Sequence, residues 1–134
     1  MTGFPLKIVT PDGLLFDGTA EELIVRSTSG DIGILAGHIN CVAPLGMGQA
    51  TLIIDGQKRY AACIGGMVSV VKGAVTLVPT TFEWADKIDV ERAEASQRRA
   101  QAILADKTST DTDIRLAEAR LKRALVRKGV ASLR

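Results

Sequence analysis

The chain has 134 residues, 46% of them hydrophobic and 24% charged, with a formal net charge of +2. That length suits one average domain, or a small β domain of roughly 85 residues with an appendage too small for its own core. No apolar run approaches the roughly 18 residues of a membrane span, and the N-terminus lacks a signal peptide's basic-then-apolar layout, so a soluble protein is expected.

Leu6–Thr10 reads as a first strand, and Pro11-Asp12-Gly13 is turn chemistry before Leu14–Phe16. Leu23–Ser27 and Ile32–Leu35 follow, separated by Ser29-Gly30-Asp31. Gly46-Met47-Gly48-Gln49-Ala50-Thr51 starts like a dinucleotide loop, but the third glycine is missing and no helix follows, so the pattern predicts a turn. Ala50–Ile54 and Gln57–Cys63 flank Asp55-Gly56, a pair suited to a two-residue hairpin turn with positive φ. Met67–Val71 and Ala74–Val78 flank Lys72-Gly73 in the same way, and Pro79 ends the run. Eight or nine short strands at this spacing predict a sandwich or flattened barrel. Cys41 and Cys63 form no CxxC pair and sit in apolar strand-like text, which predicts buried, reduced thiols and a reducing compartment.

The pattern changes at about Trp84. Before it lie 12 of the 13 glycines and all four prolines; after it come Ala, Arg, Glu, Gln and Leu, with no proline and one glycine, Gly129. Residues 1–84 are therefore expected to form the β module and residues 85–134 a helical hairpin. Asp89 can cap a first helix to about Ala105, with Val90, Ala93, Gln97, Ala100 and Leu104 on one narrow face. Asp106–Asp111 is a polar loop. Thr112 can cap a second helix with an inner face of Ile114, Ala117, Leu121, Ala124 and Leu125, and Gly129 marks its stop. An Ala-rich seam lets two helices approach closely while burying little area, so the hairpin is expected to be marginal alone and able to dock or open.

Charge follows the same division. Residues 1–84 hold five Lys/Arg and seven Asp/Glu, a net of −2, whereas residues 85–134 hold twelve and eight, a net of +4. A basic terminal helix points to an anionic partner. Catalytic patterns are missing. His38 is the lone histidine and has no neighbours at metal-ligand spacing, so no metal site is predicted. Neither a G-x-S-x-G element nor a phosphate-binding P-loop occurs, and three Phe, one Trp and one Tyr are too scattered to form a base-stacking platform. The chain reads as a protein that is not an enzyme.

Several stretches, in order, carry a resemblance: Ile8-Val9-Thr10-Pro11-Asp12-Gly13, Gly30-Asp31-Ile32-Gly33-Ile34-Leu35-Ala36-Gly37-His38, Ala43-Pro44-Leu45, Gly65-Gly66-Met67-Val68-Ser69-Val70 and Ile88-Asp89-Val90-Glu91-Arg92-Ala93. Together they resemble the epsilon subunit of bacterial F-type ATP synthases, over nearly the whole chain. The resemblance implies a ten-stranded β-sandwich that grips a gamma subunit and rests on a c-subunit ring. It also implies a C-terminal antiparallel two-helix hairpin that either folds against the sandwich or extends into the alpha/beta catalytic head and blocks ATP hydrolysis. Such a subunit is a non-catalytic rotor part of a proton- or sodium-translocating motor, peripheral at the cytoplasmic face of the bacterial inner membrane and touching the membrane only through the c-ring. The loop Gly30–His38 matches the c-ring contact, with Asp31 as its acidic residue and His38 beside it. Two departures stand out: Ala36, where the family usually has Pro, is expected to loosen the turn before His38, and Lys87 replaces a commonly acidic residue.

Spacing on the two helices sharpens the expectation. Asp89, Arg92 and Arg99 fall at i, i+3 and i+10, on one face at about 100° per residue. Arg123 and Arg127 are i, i+4 neighbours. Closing the hairpin brings four guanidinium groups together, and their forks suit phosphate oxygens. The resemblance agrees: Ile88-Asp89-x-x-Arg92-Ala93 is the ATP motif of nucleotide-binding relatives, with Ile88, Asp89 and Ala93 at the adenine, the four arginines around ribose and phosphates, and Glu83 as a further contact. No cofactor is required; ATP is the expected regulatory ligand, with the role of Mg²⁺ open. An extended second helix would present Arg115, Arg120, Lys122, Arg123 and Arg127 to an acidic stretch of the head, which makes ATP and the head competitors for Arg123 and Arg127. The alternative is a nucleic-acid-binding β-barrel with a basic helical tail; sparse aromatics and an acidic β portion count against it.

Overall fold

The computed structural model describes residues 2–134. Ten strands are present: β1 (Phe4–Thr10), β2 (Gly13–Ala20), β3 (Glu22–Ser27), β4 (Gly30–Ile34), β5 (Cys41–Pro44), β6 (Met47–Ile54), β7 (Gln57–Ile64), β8 (Met67–Val71), β9 (Ala74–Val78) and β10 (Thr81–Trp84). They form two five-stranded sheets, ordered β2-β1-β9-β8-β5 and β10-β7-β6-β3-β4. Neighbours are antiparallel except β1 and β9, which pair in parallel with Leu6 opposite Val75 and Ile8 opposite Leu77.

Alternation makes the two sheets one sandwich. In β1 the side chains of Phe4, Leu6 and Ile8 point inward while Pro5 and Lys7 face out, the two-residue period of a half-buried strand. Val68, Val70, Val75 and Leu77 of the first sheet meet Leu23, Val25, Ala50 and Leu52 of the second in one core. Strand β7 breaks the alternation, since Ala61, Ala62, Cys63 and Ile64 are all buried. Ala61 and Cys63 belong to the sandwich core, whereas Ala62 faces a second cluster beneath the helices. That strand is covered on both faces.

Both predicted hairpin turns form, with Asp55 at φ 53° and Gly56 at 74°, then Lys72 at 50° and Gly73 at 80°. Gly46–Thr51 is not a turn. From Met47 onward it is the start of β6, and a Cβ at Gly48 would fall 2.6 Å from Arg26 Cβ, so the glycine gives the stem of Arg26 room to lie flat across the strand. Cys63 is buried and Cys41 only half-buried; neither is in a disulfide. Burial pushes the Cys63 thiol up to about 12.

A short 3-10 turn, Ala85–Lys87, leads into α1 (Val90–Ala105) and α2 (Asp111–Ala131). Asp89 caps α1, its Oδ1 accepting the Arg92 N–H at 3.0 Å. The cap of α2 is Thr110 rather than Thr112, because Asp113 completes a reciprocal capping box with Thr110. Gly129 does not stop α2, which runs one further half-turn and buries Val130 and Ala131. Leu125 lies outside the inner face and is half-exposed, while Ala117 and Ala124 are buried in the seam opposite Ala93 and Ala100.

The hairpin is folded down on the second sheet. Val130 and Ala131 join Ala62, Ala85 and Ile88 in a small cluster edged by Tyr60, Val90 and Val126. Arg134 Nη1 reaches Ile88 O at 3.5 Å, so the end of α2 lies beside the start of α1 and the helices are antiparallel. Among the described residues, no helix is long and apolar enough to cross a membrane.

Candidate functional site

Helix α1 from its cap to Arg99, the middle of α2 and the strand β10 enclose a cavity of about 620 Å³, within the usual range for small-molecule sites. Strand β10 contributes Thr81 and Glu83, which point toward the hairpin; α1 contributes Asp89, Arg92, Ala93, Ser96 and Arg99; α2 contributes Arg120, Arg123 and Arg127. Lys87, from the 3-10 turn, completes the wall. Helical periodicity puts Asp89, Arg92, Ser96 and Arg99 within about 80° of arc, so one face of α1 carries them all.

The wall is strongly cationic. Lys87 and five arginines face two carboxylates, Glu83 and Asp89. One contact links sandwich and hairpin directly: Arg127 Nε donates to Glu83 Oε1 at 2.6 Å, with side chains 25% and 32% exposed. Lys128 Nζ donates to Gln97 Oε1 at 2.8 Å and ties the two helices together. The remaining cavity arginines have no ion-pair partner among the described residues. Like charges crowd the cavity, and an anion entering it relieves that repulsion.

The structure thus brings Glu83, Asp89, Arg92, Ala93, Arg99, Arg123 and Arg127 to one cavity. Ile88 is elsewhere, 4% exposed and packed in the cluster that docks the hairpin. The basic ladder of α2 divides between two sides. Arg120, Arg123 and Arg127 line the cavity, while Arg115 and Lys122 are exposed about 140–160° around the helix from Arg120. Sequence reasoning missed Thr81, Lys87, Ser96 and Arg120 as cavity residues. Ser96 and Arg120 carried a usable signal, at i+7 from Asp89 and i−7 from Arg127, but only the packing of the helices brings them to one cavity.

The second predicted pair is set apart: Asp31 is near the start of β4, the edge strand opposite β10, and His38 follows the far end of that strand. Asp31 lies on the β3–β4 hairpin, where its Oδ1 accepts from Arg26 Nε at 2.6 Å with both side chains more than half exposed. That hydrogen bond, and the charge of Asp31, hold the Arg26 guanidinium above its ordinary value. His38 is half-buried; its Nδ1 lies 2.8 Å from Ile39 O and 4.0 Å from Cys41 Sγ, and donation to the carbonyl places the proton on Nδ1. The turn before it is closed, with His38 N–H donating to Leu35 O at 3.2 Å and Gly37 at φ 81°.

Two family descriptions match consecutive parts of the chain: "ATP synthase, Delta/Epsilon chain, beta-sandwich domain" over residues 3–85 and "ATP synthase, Delta/Epsilon chain, long alpha-helix domain" over residues 86–131. The chain belongs to the ATP synthase delta/epsilon family. Among curated relatives, the ATP synthase epsilon chain of Bacillus velezensis is 48% identical over 126 residues, covering 94% of this chain and 95% of its own. The epsilon chain of Bacillus cytotoxicus is 40% identical over 134 residues and covers both chains completely. A chain of the Euglena gracilis mitochondrial ATP synthase, solved as OSCP/F1/c-ring, has the same fold, with a TM-score of 0.83 at 21% identity over 100% of this chain and 83% of that one.

The family's two domains meet at the cavity. Thr81 and Glu83 lie in the β-sandwich domain and the other lining residues in the long alpha-helix domain. The site therefore draws on both domains.

Proposed function

We propose that the chain is a non-catalytic central-stalk subunit of a rotary ATP synthase, and that its hairpin restrains ATP hydrolysis by the catalytic head unless ATP holds it folded. The carrying observation is the cationic cavity that is assembled by docking. A polyphosphate bound there stabilises the folded-down form by RT ln(1 + [ATP]/Kd), about 2.7 kcal/mol at a hundredfold excess. No cofactor is needed for this role. The near full-length relatives named ATP synthase epsilon chain support the assignment to the complex.

The sandwich supplies the coupling surfaces. Val42, Met67, Val71 and Val78, all 45% exposed or more, lie on the outer face of the first sheet, an apolar patch suited to a gamma subunit. At the β3–β4 turn, Asp31 meets basic groups of the c-ring by sharing or exchanging its contact with Arg26; His38, past the far end of β4, makes a second contact. The complex holds the chain peripherally, at the cytoplasmic face of the bacterial inner membrane. Released, α2 turns Arg115, Arg120, Lys122, Arg123 and Arg127 toward an acidic stretch of the head. Each exposed pair contributes only about 0.2–1 kcal/mol, so several act together.

The test measures ATP hydrolysis by a cognate alpha/beta head with its gamma subunit. The full chain is compared with a chain ending at Trp84, which retains every residue of the sandwich core. Inhibition by the full chain alone, relieved by excess ATP, is the expected result. Equal effects from both would leave the hairpin without a regulatory role.

A further inference from the structure

We propose that Arg120 is a phosphate-binding residue that, with Arg99, seats the terminal phosphate of a nucleoside triphosphate, so that the cavity measures polyphosphate length. This rests on the nucleotide reading above and adds to it a residue that neither the motif nor the spacing of the other arginines singled out.

Height along the helices carries the argument. Asp89 caps α1, and Ser96 and Arg99 stand seven and ten residues further on, about 10 and 15 Å along an axis that rises about 1.5 Å per residue. Helix α2 runs the opposite way. Its Arg127 is fixed to β10 by the 2.6 Å contact with Glu83, close to the level of Gln97, which Lys128 reaches at 2.8 Å; Arg120, seven residues earlier, lies about 10 Å nearer the hairpin loop. Arg120 and Arg127 share a face because seven residues are close to two full turns.

The cavity is therefore polar along its length. Asp89 lies at the start of α1 and Glu83 sits with Arg127, level with Ser96, whereas Arg99 and Arg120 are the lining residues of α1 and α2 nearest the hairpin loop, with no acid beyond them among the lining residues. A ligand with a hydrogen-bond-donating base at one end and its greatest negative charge at the other pairs well in one orientation only. Its base sits by the carboxylates and its terminal phosphate by Arg99 and Arg120. Arg120 has no ion-pair partner among the described residues, so its planar fork is free for phosphate oxygens. A diphosphate in the same orientation ends short of this pair.

The experiment is calorimetric titration of the full-length protein with ATP and with ADP, without magnesium and at fixed ionic strength. Wild type is compared with Arg120→Ala, Arg120→Lys and Arg115→Ala; Arg115 is on the opposite side of α2. Arg120 is exposed and alanine favours helix, so the fold is retained, which circular dichroism and Tm verify. The expected result is a loss of about tenfold in ATP affinity for Arg120→Ala, the scale of one charge-assisted contact, with ADP changed less than twofold. Arg120→Lys falls between, and Arg115→Ala leaves both ligands unchanged. Equal losses for ATP and ADP, or no loss, would overturn the terminal-phosphate seat while leaving the nucleotide reading standing. Wild-type protein that bound neither nucleotide would overturn that reading and the seat with it.

Discussion

Ala36 occupies the second position of a tight turn whose third residue, Gly37, has φ 81° and whose ends close through His38 N–H to Leu35 O at 3.2 Å. Those features define a type II turn, in which proline at the second position has the backbone angle the turn requires. The Ala36 N–H lies outside strand β4, so no ladder hydrogen bond is lost. Ala36→Pro is therefore expected to stabilise the protein by about 0.4–1 kcal/mol, chiefly by restricting the unfolded chain. A denaturant midpoint that rises with an unchanged m-value verifies it; a lower midpoint would mean that the backbone at Ala36 does not match proline. Toward the other end of the β3–β4 ladder, Arg26 shows how one glycine sets the path of a side chain. Gly48 leaves the space in which its stem lies, and the guanidinium then meets Asp31.

At the scale of elements, α2 is a helix that tertiary packing carries through a residue inclined to end it. Gly129 costs about 1 kcal/mol relative to alanine in a helix interior, yet the two residues beyond it bury Val130 and Ala131 against Ala62, Ala85 and Ile88. A Cβ at Gly129 would meet nothing within 4 Å. Gly129→Ala is expected to strengthen α2 by about 0.8–1 kcal/mol, seen as slower amide exchange over its last turns. The same helix shows what was legible in the sequence. Its small inward positions, Ala117 and Ala124, follow from periodicity alone, but its start among four hydroxyl residues, Thr108, Ser109, Thr110 and Thr112, was decided by Asp113, three places beyond Thr110. Strands β8 and β9 were legible to the residue because a local turn joins them. Strand β5 was not: four residues ending in proline pair only with distant β8, and nothing local marks them. Likewise Arg92, Arg99, Arg123 and Arg127 could be grouped from helical spacing, whereas the convergence of Arg120 and Ser96 depended on inter-helix register.

At the scale of the molecule, two clusters of unequal size hold two parts together. The sandwich core draws no residue from beyond Trp84, so the hairpin can leave without opening it. The docking cluster is small and mostly Ala and Val, which leaves the Glu83–Arg127 contact a large share of the work of closure. Glu83→Gln keeps the shape but removes the charge, leaving Arg127 among Arg92, Arg99, Arg120 and Arg123. With both side chains partly exposed, the expected cost is about 1–2 kcal/mol, or five- to thirtyfold in the opening equilibrium. Amide exchange should accelerate by that factor across α1 and α2 while β1, β3 and β9 keep their protection. Added salt should reduce the difference, because screening weakens both the lost attraction and the remaining repulsion. If the core strands accelerated with the helices, hairpin and sandwich would open as one unit, and a switch that moves the hairpin alone would have no physical basis.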